Sequence, residues 1–236
     1  MTAGRSTDQV IWMRPEHAAV GRPAQHSRAE ITAAAVAIAD ADGLDAVSMR
    51  RVAAELGTGA ASLYRYLGSR EDLLDLMTDS LGQEYRFAAP SGDWLADVVA
   101  IGEQTRAIMR HHPWSAPLIT TRPVLGPNGL RVMEHFLDVL AAHPADGSTK
   151  LEAFAMVSGI TALFVLHELA GGSATQQRNA AYLQHAVTAG EHPRLARLLA
   201  QAAPAAADPA DRYSDILARL LTGLLGPPRT AADPPA

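Results

Sequence analysis

Four runs in this chain hold side chains that could do chemistry, and each points to a different kind. Gly57-Thr58-Gly59-Ala60-Ala61-Ser62 comes close to the GxGxxG phosphate cradle. That cradle needs a preceding strand to aim a helix N-terminus at a pyrophosphate. Here helical periodicity precedes it and Ser62 stands where the last glycine belongs, so a nucleotide site is not supported. His167-Glu168 starts like a zinc-binding HExxH run, but Gly171 occupies the second histidine position and one of two ligands on the helical face is lost. His111 and His112 are adjacent, point in different directions on a helix and do not easily share a metal. Capping the helix C-terminus beside Pro113 is the better role for one of them. No Ser–His–acid set has a recognisable nucleophile elbow. No catalytic residue, metal or cofactor is therefore assigned, and the chain does not read as an enzyme. The fourth run is different. Ala60 and Ala61 are small enough for close approach to a nucleic-acid groove, and Ser62, Tyr64, Arg65 and Tyr66 offer hydrogen bonds to phosphates and base edges.

The elements that must position this run lie between Ser48 and Arg70. Val52, Ala53 and Leu56 fall on one helical face with Ser48 placed to cap its start. Gly57 supplies the left-handed residue that ends it. A second short helix, about 60–66, turns Leu63 and Leu67 inward. A helical pair this short cannot bury its own apolar face, so it must sit on a larger domain. The pattern is a helix-turn-helix.

Upstream, Ser27 and Glu30 form a capping box for a first helix that Gly43 stops, with Ile31, Ala34, Ala35, Ile38 and Ala39 inward. Downstream, Ser69 caps a fourth helix expected to end near Phe87, before the Ala88–Gly92 boundary. Residues 1–26 lack sustained periodicity and read as a flexible arm in which Arg22 could enter a minor groove. The expected organisation is thus an arm at 1–26, a helix-turn-helix head at 27–88, a helical body at 91–226 and a disordered tail at 227–236.

Forty-eight per cent hydrophobic residues and only 5% aromatics, with few β-branched runs, favour an all-α fold. The absence of cysteine excludes disulfides and thiolate metal sites and fits a reducing cytoplasm. A net charge of −5 argues against nucleic-acid binding by composition alone. Local placement matters more, and arginines gather in the first third. No apolar run approaches the roughly 18–20 residues of a membrane span, so no membrane partner is expected.

The segment from Ile31 to Met77 closely resembles the DNA-binding domain of tetracycline-repressor (TetR) type transcriptional regulators. The resemblance rests on Gly43-Leu44, Ser48-Met49-Arg50, Ala53-Ala54-Glu55-Leu56-Gly57, Leu63-Tyr64-Arg65-Tyr66 and Ser69-Arg70-Glu71-Asp72-Leu73-Leu74. His111-His112-Pro113-Trp114, Arg122-Pro123 and Gly126-Pro127-Asn128 resemble the C-terminal domain that accompanies such heads. By that resemblance Arg50, Gly59, Ala60, Ala61, Ser62, Tyr64, Arg65 and Tyr66 meet double-stranded operator DNA, with Arg70 on a phosphate. The fourth helix would transmit a signal from a ligand-binding body.

The same resemblance implies a small-molecule effector. Met109, Trp114, Met133, Phe136 and Phe154 are candidates for the pocket wall, with His135 and His167 as polar anchors. One departure matters. Tetracycline-binding members carry a magnesium-holding histidine just before the Arg-Pro pair, whereas Leu118, Ile119, Thr120 and Thr121 stand here. Tetracycline–magnesium is not supported as inducer. Helices at 149–170 and 211–225 are apolar around much of their circumference and suit an isologous four-helix interface in a homodimer. The resulting reading is a ligand-responsive, sequence-specific DNA-binding regulator, a repressor of a palindromic operator in the cytoplasm. The competing reading is a helical small-molecule-binding protein or enzyme with a vestigial head.

Overall fold

The computed structural model describes residues 10–15, 26–201 and 209–227. The fold is all-α, with eleven α-helices and no strand among these residues. Gly21-Arg22-Pro23 and the tail from 228 onward lie outside them.

Local chemistry sets the first four helices. Helix α1 (Arg28–Asp42) starts at Ser27, whose hydroxyl accepts from Glu30 N at 3.1 Å while Glu30 accepts from Ser27 N at 2.7 Å. These bonds satisfy two otherwise orphaned donors. Gly43, at φ 83°, ends the helix, and Ser48 caps α2 (Met49–Glu55). After α2 the chain turns on Gly57 at φ 65°, where Thr58 N reaches back to Ala53 O at 2.8 Å. Helix α3 (Ala60–Leu63) follows, and single turns carry its bonding pattern to Leu67. Ser69 and Asp72 close a second capping box at α4 (Arg70–Ser80). Ile31, Val52, Leu63, Leu67, Leu73 and Met77 are almost fully buried and hold these helices together.

Two expectations need correction here. Residues 10–15 are not a free arm. Ile11–Met13 form a 3-10 turn with Ile11 buried in the core of α1–α4. Arg28 donates to the carbonyls of Ile11, Arg14 and Pro15, and Arg14 pairs with Asp72. A short apolar segment without periodicity was too brief to signal this docking. Helix α4 also stops earlier than near Phe87, at Ser80, and gives way to a 3-10 turn at Leu81–Gln83. The reason is a close approach: a Cβ on Gly82 would lie 2.8 Å from the Asn128 side chain and about as near its backbone.

Beyond Gly92 the chain forms α5 (Trp94–His111), α6 (Ser115–Thr121), α7 (Pro127–Val139) and α8 (Gly147–Leu169). Helices α9 (Ala174–Thr188), α10 (Pro193–Gln201) and α11 (Pro209–Leu225) complete it. Helices α5, α8 and α11 pack together around Val98, Ile101, Val157, Tyr213 and Leu217. Gly102 permits this, since a Cβ there would sit 2.4 Å from Leu217 Cδ2. Arg106 on α5, almost fully buried, donates to Glu168 of α8 at 2.6 and 3.0 Å and lies over the Tyr213 ring. Helices α9 and α10 pack against each other and bury no residue fully.

Helix α8 overturns one expectation about membranes. By length and composition it is sufficient for a span, because small and apolar residues fill the helix between Glu152 and Glu168. It packs instead on α5, α6 and α11, with Ala153, Val157, Thr161, Ala162 and Val165 buried.

Two enclosed phenols give this fold an alkaline limit. Tyr213 bonds Thr161 at 2.6 Å and Tyr85 bonds Thr105 at 2.8 Å. Burial pushes each phenol up to about 12. An unfolded tyrosine ionises near pH 10, whereas these stay protonated, so full stability is present below that pH and is lost toward about 12. Urea midpoints followed by circular dichroism should hold steady to about pH 10 and then fall, as stability drops by roughly 3 kcal/mol per tyrosine. Tyr213→Phe should flatten part of that fall; an unchanged alkaline slope would contradict the assignment.

Candidate nucleic-acid interface and interior cavity

Helices α2 and α3 present Arg50, Gly59, Ala61, Tyr64 and Arg65 to solvent. Tyr64 remains 53% exposed, an unusual share for an aromatic residue in a packed head. Arg50 and Arg65 have no ion-pair partner among the described residues, whereas Arg51 is paired with Asp42. Ala60 and Ser62 are partly covered. The Ser62 hydroxyl donates to Gly59 O at 2.7 Å, which leaves Thr58 to donate to Ser62. This is a short convex ridge with two uncommitted guanidinium groups, small residues between them and an accessible phenol. It suits a groove whose walls are phosphates.

Two expected contacts are placed differently. Tyr66 is only 7% exposed and its ring belongs to the core of α1–α4; its hydroxyl accepts from His26 N. The two residues from Tyr64 to Tyr66 are about half a helical turn, which carries the ring from the outer to the inner face. Arg70 is half-buried and its Nε donates to Val47 O at 3.2 Å, so it braces the turn between α1 and α2.

The second feature is a cavity of about 770 Å³ bounded by the end of α4, α5, the α6–α7 connection and α8. Of the seven pocket candidates, Met109, Met133 and Phe154 line it. The other four candidates do not. Trp114 donates its Nε1–H to Asp40 at 2.7 Å. Phe136 is buried behind the wall, edge-on to Phe154. His135 packs on Phe87 with ring centres 4.8 Å apart, and His167 is exposed on α8 one turn beyond the lining Leu163. Residue type and helical spacing could nominate apolar wall residues but not the face that each helix turns inward.

Reading by residue type also missed the polar part of the wall: Thr78, Asp79, Tyr85, Thr105, Thr120 and Ser158. Asp79 is 7% exposed. Its carboxylate accepts from Asn128 N, Asn128 Nδ2 and Gly129 N at 2.9–3.2 Å. It thereby caps α7 from α4, at a helix N-terminus that favours negative charge. A signal existed in the sequence, because Gly126 at the N-cap has no side chain to do this.

Further contacts join the same regions. Arg122 Nε donates to Asp75 at 2.7 Å, a bond that raises the Arg122 pKa. His112 does not serve as a simple helix cap. Its buried ring sets Nδ1 2.7 Å from Asp40 and Nε2 2.8 Å from Glu84, so it links α5 to the end of α1 and to the segment after α4.

Comparison with known proteins accords with both features. Residues 31–77 match the family model described as bacterial regulatory proteins, tetR family. Residues 88–226 match that of the tetracyclin repressor-like C-terminal domain. The HTH-type transcriptional repressor DrrR1 of Streptomyces coeruleorubidus is 37% identical over 155 residues, 65% of this chain and 57% of that protein. An HTH-type transcriptional regulator of Saccharopolyspora erythraea is 37% identical over 150 residues, 63% of each. The chain thus spans about three fifths of the length of these curated relatives. Among solved structures, apo ActR from Streptomyces coelicolor superposes with a TM-score of 0.74 at 30% identity, covering 87% of this chain and 98% of that one. ActR in complex with actinorhodin gives 0.73 at 30% identity, covering 86% and 98%. With one family model on the α1–α4 segment and a second over more than half of its length, the chain belongs to the tetR family of bacterial regulatory proteins.

Proposed function

We propose that the protein is a homodimeric, sequence-specific DNA-binding repressor of the cytoplasm, released from a palindromic operator by a small molecule held in the cavity. The observation that carries this reading is that one helix connects the two features. Helix α4 packs on α1 beneath the exposed ridge of α3, and its last turn supplies Thr78 and Asp79 to the cavity wall. A ligand that favours one tilt of α4 changes the separation of two heads, and operator half-sites at fixed spacing then bind less well. The protein acts by binding rather than by catalysis. The ligand reading is further supported by ActR, whose solved structures include complexes with actinorhodin and (S)-DNPA.

The dimer reading rests on uncovered apolar surface. Leu169 of α8 and Leu220 and Leu224 of α11 are exposed, on two helices already in contact, and none of the three lines the cavity. Exposed leucines on two adjoining helices suit burial against a second copy, and the two-fold repeat of this pair makes a four-helix interface.

The first test is fluorescence anisotropy on the intergenic DNA upstream of the gene, against scrambled DNA, across a salt series. Preference for one intergenic sequence should be roughly a thousandfold, with affinity falling as salt rises. Arg65→Ala should weaken specific binding by roughly 1–3 kcal/mol at unchanged circular dichroism; full retention of both affinity and preference would remove Arg65 from base readout. In sedimentation velocity, Leu220→Glu with Leu224→Glu should convert the dimer to folded monomer and abolish operator binding. A variant that still sediments as a dimer would place the interface elsewhere.

A further inference from the structure

The protons of the cavity wall restrict what the cavity holds. The Thr78 hydroxyl donates to Leu74 O at 2.9 Å, Thr120 to Pro117 O at 2.9 Å and Ser158 to Phe154 O at 3.3 Å. A carbonyl oxygen can only accept, so each hydroxyl has its single proton committed to its own helix and turns only lone pairs elsewhere. Thr105 likewise donates to Ile101 O at 2.8 Å. The shared bond between Tyr85 and Thr105 must then be donated by Tyr85. Burial holds that phenol protonated up to about 12, which keeps it in this role. Asp79, already accepting from three N–H groups, is an acceptor and carries the charge of the wall. Among the described residues no Arg, Lys or His lines the cavity, and the remaining surface is apolar, with Met109, Val132, Met133, Phe154 and Leu163 prominent.

We propose that this cavity selects a largely apolar ligand that bears hydrogen-bond donors, hydroxyl or N–H, and carries no negative charge. The inference rests on the effector reading of the same cavity and specifies its ligand class. A donor on such a ligand meets acceptor lone pairs that are otherwise unpartnered within the wall. A carboxylate or phosphate meets no side-chain donor, faces Asp79 and loses its hydration without replacement, a costly transfer. An ether or ketone of the same shape gains the apolar contacts alone.

Three rigid four-ring probes distinguish these cases: 1-pyrenemethanol, its methyl ether and 1-pyrenecarboxylate. Their binding to the full chain is read by pyrene fluorescence and by calorimetry. The alcohol should bind roughly three- to tenfold more tightly than the ether, the worth of one net hydrogen bond. The carboxylate should bind most weakly. Thr78→Val combined with Ser158→Ala should bring alcohol and ether together while leaving the ether unchanged. Equal affinities for alcohol and ether in the unaltered protein, or tightest binding of the carboxylate, would overturn the ligand class and leave the effector reading standing. Binding in the expected order without release of operator DNA at saturation would support the class and sink the effector reading. No binding of any probe up to its solubility limit would overturn both.

Discussion

The carboxylate of Asp79 is the point on which the rest of the structure depends. A buried anion is costly unless paired or bonded, and here three N–H groups at the start of α7 compensate it. The same bonds supply the cap that Gly126 lacks. One contact thus stabilises a charge, a helix terminus and the junction between α4 and α7. Neither partner is satisfied without the other, so the position of α4 is set by the body and not by the head alone.

Close packing around this contact makes the junction stiff. Gly126 approaches Asp79 and the Trp12 ring so nearly that a Cβ would lie 2.4 Å from the carboxylate and 2.7 Å from the indole. Gly82 meets Asn128 with as little room. Arg122–Asp75 and His112 with Asp40 and Glu84 add polar tethers on either side. Motion of α4 therefore repacks several contacts together. Such an arrangement favours two discrete states over gradual drift.

Sequence reading succeeded where a bond closes within a few residues. Ser27 with Glu30, Ser48 with Arg51 N and Gly57 with Ala53 are local, and their helices fall where spacing put them. It failed where the partner lies far along the chain. Asp79 and Asn128 are 49 residues apart, His112 and Asp40 72, and Arg28 and Arg14 14. Helical spacing did carry the signal that Tyr66 turns inward, since it lies three residues after the inward Leu63 whereas Tyr64 lies one residue after it; the family resemblance had placed both on DNA. The cavity was half legible. Its apolar residues are typed correctly for a wall, yet only tertiary placement separates Met133 from His135 or Phe154 from Phe136.

The docking of residues 10–15 bears on where the head can be cut. Arg28 gives N–H groups to three carbonyls of that segment and another to Tyr66 O, at the end of the recognition turn. Ile11 fills a site among α1–α4 that is otherwise open. A fragment excised to begin at the first capping box would lose the Ile11 side chain from this core and three of the carbonyl acceptors of Arg28, directly behind the exposed ridge. The autonomous unit of the head is consequently larger than its helix-turn-helix pattern, and the first strand of chain to enter it comes from upstream of the first helix.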